Sequence, residues 1–125
     1  MHFLTDRKRA TGLGAARRGT GRHWSMTVSS AGLIVLVPLF VFSFGAMLGR
    51  SHAEVLAYYA RPVPATIAAL TIVVGFMHFK NGVQMMIEDY VHGIAREIAI
   101  VAMICISYGA AALAVFALVR LALQG

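Results

Sequence analysis

Three apolar runs constrain this chain more than any other feature of it. A helix needs about 20 mostly apolar residues to cross about 30 Å of hydrocarbon, and residues 28–48, 63–87 and 98–121 each meet that length. Inside hydrocarbon every backbone N–H and C=O must bond within the protein, so an isolated run of this kind can only be a helix. The expectation is an all-α fold. It consists of a three-helix transmembrane bundle over residues 28–125, preceded by a short basic arm over residues 1–27. Pro38 lies within the first run, where it predicts a kink rather than a break. That run is longer than a signal-peptide core and its leader more extended, so it reads as an uncleaved anchor.

Charge supplies the direction. Only 13% of the residues are charged, about half of what a soluble domain carries (roughly 25%), and they are unevenly spread. Arg7, Lys8, Arg9, Arg17, Arg18 and Arg22 all precede Trp24, and Arg96 joins them on the same side of the bilayer. The opposite side has Arg50, Arg61 and Arg120. Cations concentrate in cytoplasmic flanks, so the arm is expected in the cytoplasm, with the chain in the cytoplasmic (inner) membrane of a bacterium. Beside three apolar runs the basic arm is a topology signal, not a nucleic-acid-binding face. Trp24, Tyr58 and Tyr59 fall where interfacial aromatic belts are expected. The single cysteine, Cys105, excludes a thiolate-held iron–sulfur cluster or structural zinc in this chain. No glycine-rich phosphate loop or GxGxxG is present, so no nucleotide or flavin site is expected.

The three runs differ in polarity. The first and third are plain, with small residues such as Gly45, Gly109, Ala110 and Ala111 suited to close helix approach. The second brings His78, Lys80, Asn81 and Gln84 into hydrocarbon, where ionisable groups are costly and mark function or a partner interface. At about 1.5 Å per residue His78 lies about 15 Å below Glu88, near mid-bilayer. At about 100° per residue, His78, Gly82, Met85 and Asp89 share a stripe flanked by Gly75 and Asn81. Glycines three before and four after a histidine would clear room for a flat macrocycle on both sides of the imidazole. The same pattern also suits a histidine bonded to a polar group on a neighbouring helix, with the glycines serving packing alone.

If His78 ligates a b-type haem, the partner follows from elimination. No other histidine lies within a span: His2 and His23 are in the arm, His52 in the far loop and His92 at the cytoplasmic edge. A second axial histidine would come from another subunit. Lys80 is a candidate for a haem propionate, although it sits about 160° around the helix from His78. At the end of the second span, Tyr90 can donate a hydrogen bond to a quinone carbonyl, and Asp89 can orient the phenol or deliver protons. An interfacial tyrosine after a span-ending acid is also common without such a role.

The motif H-x3-G-x-Q-x4-DYVHG, from His78 to Gly93, resembles the smaller hydrophobic anchor subunit of succinate dehydrogenase, respiratory complex II. The arm sequence GLGAARRGTGRHW is similar to that family's approach to its first span. The resemblance implies a non-catalytic anchor with three spans, in which His78 is an axial ligand of haem b and Tyr90, beside Asp89, binds ubiquinone. It also implies a larger cytochrome b-type anchor subunit carrying the other axial histidine, an iron–sulfur subunit and a flavoprotein that oxidises succinate. Many members have an arginine shortly after the His-Trp of the arm, near the haem propionates. Here Trp24 is followed by SMTVSSAG. Lys80, Arg22, His23 or the partner chain would then supply that charge. The competing expectations are the anchor of a fumarate reductase-like complex, and a haem-free structural or transport subunit in which His78 and Lys80 line a polar path.

Overall fold

The computed structural model describes residues 5–11 and 19–124. Among these residues there are five helices and no strand: α1 (Asp6–Thr11), α2 (Gly19–Gly45), α3 (His52–Tyr59), α4 (Pro62–Tyr90) and α5 (Ile94–Gln124). Arg17, Arg18 and most of the GLGAARRGT approach lie outside the described residues. The helices α2, α4 and α5 are long and apolar enough to cross a membrane, as the three apolar runs require. They run up, down and up. The end of α2 that carries Arg22 therefore shares a side with the junction of α4 and α5, while α3 lies at the other side.

Each spanning helix extends beyond its apolar run. The first runs from Gly19, well ahead of Val28, to Gly45, short of the Leu48 expected. Residues such as Arg22, His23, Trp24 and Ser25 are too polar for hydrocarbon. They continue the helix through the interfacial layer, where the backbone still gains from internal hydrogen bonds. At α4 the start is encoded locally. Arg61 is extended and Pro62 takes the first helical position, where its missing N–H costs nothing and its fixed φ suits the helix. The helix ends at extended Val91, and Gly93, with φ of 67°, turns the chain into α5. Only glycine adopts that φ at no steric cost.

Helix α3 was not anticipated. A capping box starts it: the Ser51 hydroxyl accepts from the Glu54 backbone N–H, and the Glu54 carboxylate accepts from the Ser51 N–H at 2.9 Å. The bond from the Ser51 backbone N–H, and second the bond that the Ser51 hydroxyl donates to Glu54 Oε2 at 2.8 Å, hold the Glu54 carboxyl below its ordinary range, with Arg50 adding a smaller attraction. The Tyr58 hydroxyl lies 3.2 Å from Ser43 Oγ and ties α3 back to α2.

The central helix is α4, packed against α2 on one side and α5 on the other. Very little of the bundle is buried within the chain itself. Phe42, Leu113 and Leu123 are each more than two-thirds exposed, as expected of side chains that meet lipid or another subunit rather than a private core. The glycines mark where helices approach closely, and the places differ from those expected. A Cβ at Gly82 would meet the Met26 methyl at 3.2 Å, and one at Gly32 would meet Val74 at 3.7 Å, whereas Gly45 and Gly109 face open space. The close packing lies between α2 and α4.

Candidate functional site

The polar residues of α4 meet those of α2 along one antiparallel seam. Near the interface, Arg22 donates to Glu88 at 2.6 Å, and Gln84 donates to the other oxygen of the same carboxylate at 2.9 Å. One turn deeper, buried Asn81 donates its amide N–H to Ser25 Oγ at 3.1 Å. Deeper again, Ser29 Oγ lies 3.0 Å from His78 Nδ1. Gly32 then sits against Val74, and the Thr71 hydroxyl reaches the Leu36 carbonyl at 3.4 Å while bonding Ile67 of its own helix at 2.7 Å. On α2 the contacts fall at 22, 25, 29, 32 and 36, alternating steps of three and four residues that keep one face of a helix toward its neighbour. Hydrogen bonds between membrane helices contribute on the order of 0.6 kcal/mol each. The seam therefore sets register more than it sets overall stability.

His78 occupies the middle of this seam, and both arrangements open to it in the sequence bear on the one residue. Its Nδ1 makes the bond to a neighbouring helix that a structural histidine would make. Its Nε2 makes no hydrogen bond with any described residue. The flanking glycines are unequal. Gly82 is occupied by the Met26 methyl and serves packing, whereas Gly75 is open. Gly75 lines an apolar groove of about 330 Å³ together with Phe40, Thr71, Ile72, Phe76 and Phe79. Clearance thus exists on one side of the histidine, because α2 fills the other. Among the described residues no group of three His, Cys, Asp or Glu side chains is placed to hold a metal ion, whereas an axial haem ligand requires only one donor atom. The groove's lining does not include His78 itself; an Nε2 without a hydrogen bond among the described residues meets that requirement.

The other candidates are dispersed. Lys80 points away from His78 and toward α5, its ammonium 5.8 Å from the centre of the Tyr108 ring. Arg22 is engaged by Glu88. His23 is exposed on α2, with its carbonyl accepting from Thr27 at 3.0 Å. Asp89 and Tyr90 end α4, Tyr90 is 80% exposed, and neither side chain bonds another described residue. The described residues leave Tyr90 uncovered. Ser25, Ser29 and Glu88 were not singled out in the sequence. Their signal was present in the steps of three and four that link Arg22, Ser25, Ser29 and Gly32, but the face they form has meaning only once its partner helix is known.

Fold and seam together describe a three-span membrane subunit whose polar residues gather on its central helix and face one neighbour. The chain belongs to the succinate dehydrogenase/fumarate reductase transmembrane subunit family, which its residues 3–119 match. It is 45% identical over 123 residues to the succinate dehydrogenase hydrophobic membrane anchor subunit of Paracoccus denitrificans, an alignment covering 98% of this chain and 95% of that protein. No solved structure matches.

Proposed function

We propose that this chain is the smaller hydrophobic anchor of a succinate dehydrogenase, and that it supplies one axial ligand to a haem b and one wall of a ubiquinone site. The observation that carries the haem assignment is His78. It is the one intraspan histidine, at mid-depth, braced through Nδ1 by Ser29 with Nε2 unbonded among the described residues. The second axial histidine belongs to the larger anchor subunit, so the cofactor ties the two chains together. When bound, haem accepts and returns single electrons. The part played by this chain is to hold Nε2 in a water-poor setting and to keep α2 and α4 in register around it.

At the end of α4, the Tyr90 phenol donates a hydrogen bond to a quinone carbonyl. Asp89 stands at the water boundary, from which the two protons of quinone reduction are drawn. The exposure of both side chains suits a pocket completed by the iron–sulfur subunit and the larger anchor. The flavoprotein carries out succinate oxidation; this chain does none of that chemistry. The excess of Lys and Arg in the arm supports an orientation with the Arg22 and Tyr90 end on the cytoplasmic side of a bacterial inner membrane, where those soluble subunits would dock. With Lys80 at Tyr108 and Arg22 at Glu88, the haem propionates are left to His23 or to the larger anchor.

Purified complex carrying His78→Leu tests the haem assignment: the b-type absorption should disappear while flavin content is retained. An unchanged absorption spectrum would favour the haem-free structural reading instead. Tyr90→Phe should slow quinone reduction by about 100-fold or more, the lower end of the roughly 10²–10⁴-fold range of a positioned proton donor. Succinate oxidation by a soluble artificial acceptor should persist, and equal loss of both activities would contradict a quinone role for Tyr90.

A further inference from the structure

Ser29 stands between two short contacts, and only one arrangement of its proton serves both. Its Oγ lies 2.9 Å from the Met26 carbonyl oxygen on its own helix and 3.0 Å from His78 Nδ1 on α4. A hydroxyl has one proton to donate and lone pairs with which to accept, and a carbonyl can only accept. Were the proton turned toward Nδ1, two oxygen atoms would face each other at 2.9 Å with nothing between them. Ser30 donates to the same carbonyl at 2.9 Å, but that oxygen still has only lone pairs to present to Ser29. The Ser29 proton therefore goes to Met26, and Oγ accepts from Nδ1–H. A neutral imidazole with its proton on Nδ1 carries its lone pair on Nε2.

We propose that Ser29 is a positioning residue for His78: its hydroxyl, held as a donor by the Met26 carbonyl, selects the Nδ1–H tautomer and thereby leaves Nε2 unprotonated and available to bind iron. The proposal rests on the haem reading of His78. It assigns to α2, whose apolar run looked purely structural, a direct part in setting the electron density of the ligand. An acceptor on Nδ1–H makes the imidazole a stronger donor, which favours ferric over ferrous haem. Partners of this outer kind typically alter metal retention by about 10–100-fold.

The test compares Ser29→Ala, Ser29→Thr, Ser29→Val and His78→Leu in the assembled complex. Haem midpoint potential, low-spin EPR g-values and the rate of haem loss to a scavenger are read. Threonine in a helix can still bond the carbonyl three or four residues back, so Ser29→Thr should match the unaltered protein. Ser29→Val has nearly the same volume as Ser29→Thr. Together with Ser29→Ala it should raise the potential, shift the g-values and speed haem loss at least 10-fold. The proposal is overturned if Ser29→Val and Ser29→Thr behave alike, since packing would then be the operative property. It is also overturned if the whole Ser29 series is silent while His78→Leu removes the haem. Retention of an unaltered haem spectrum by His78→Leu would overturn the haem reading itself.

Discussion

Helix α4 has two neighbours and treats them differently. Toward α2 it presents Glu88, Asn81, His78 and Thr71, each matched by a polar group or carbonyl across the seam. Toward α5 the contacts are mostly apolar. The polar features on that side are the Lys80 ammonium over Tyr108 and buried Ser107, which turns its hydroxyl to Met103 Sδ on its own helix at 3.6 Å. Lipid tails are as apolar as leucine, so apolar contact alone gives membrane helices little register. Directional bonds do so, and here they converge on the face that holds the histidine. The lesson is that the α2 seam fixes where His78 points, while the α5 seam mainly completes the bundle.

The contrast can be broken by bulk. Gly82→Leu would drive a side chain into Met26, at a cost of about 1–3 kcal/mol for overpacking, whereas Gly109→Leu enters open space. The melting temperature of the detergent-solubilised complex should fall for the first and hold for the second. A similar fall for Gly109→Leu would place another subunit against that glycine. A smaller effect is expected from the buried amide. Asn81→Leu removes the bond to Ser25 and should cost on the order of 1 kcal/mol by the same melting measurement, against no change for Ser107→Ala, which forgoes only a weak contact to sulfur. If both lose equally, the α2 seam holds no special place in register.

The ion pair sharpens the comparison at the membrane surface. Arg22 and Glu88 are both partly exposed, so solvent screening limits the pair to roughly 1 kcal/mol or less. Arg22→Glu should lower assembly yield, and the double swap Arg22→Glu with Glu88→Arg should restore it. Failure of the double swap to recover would mean that Arg22 has another partner in the complex. The smallest effect lies at the far side. The carboxyl of Glu54 is held below its ordinary value, so its contribution to the α3 cap is full above that ordinary value and is lost as pH falls through the depressed one. Amide exchange in α3 should quicken only under acid, and Glu54→Gln should remove most of that pH dependence.

The spans were legible because length and apolarity alone decide them. The extension of α2 back to Gly19 was not, because Arg22 to Ser25 lower the hydropathy although the backbone remains helical through the interface. Helix α3 carried its own signal in Ser51 and Glu54, spaced as a capping box, but eight residues between two spans read as loop. At the site, mid-depth His78 and terminal Asp89-Tyr90 stood out by polarity. Ser29 did not, since one serine in an apolar run acquires a role only when packing brings α4 beside it. Gly82 shows the converse: the stripe it shares with His78 was visible, but whether that face met open space or α2 depended on register.

The most direct test of the central claim is an exchange of ligand rather than its deletion. In the purified complex, His78→Met should either convert the haem to a histidine–methionine pair, with altered low-spin EPR g-values and a higher midpoint potential, or lose the haem altogether. Haem retained with unchanged g-values and potential would contradict ligation by His78.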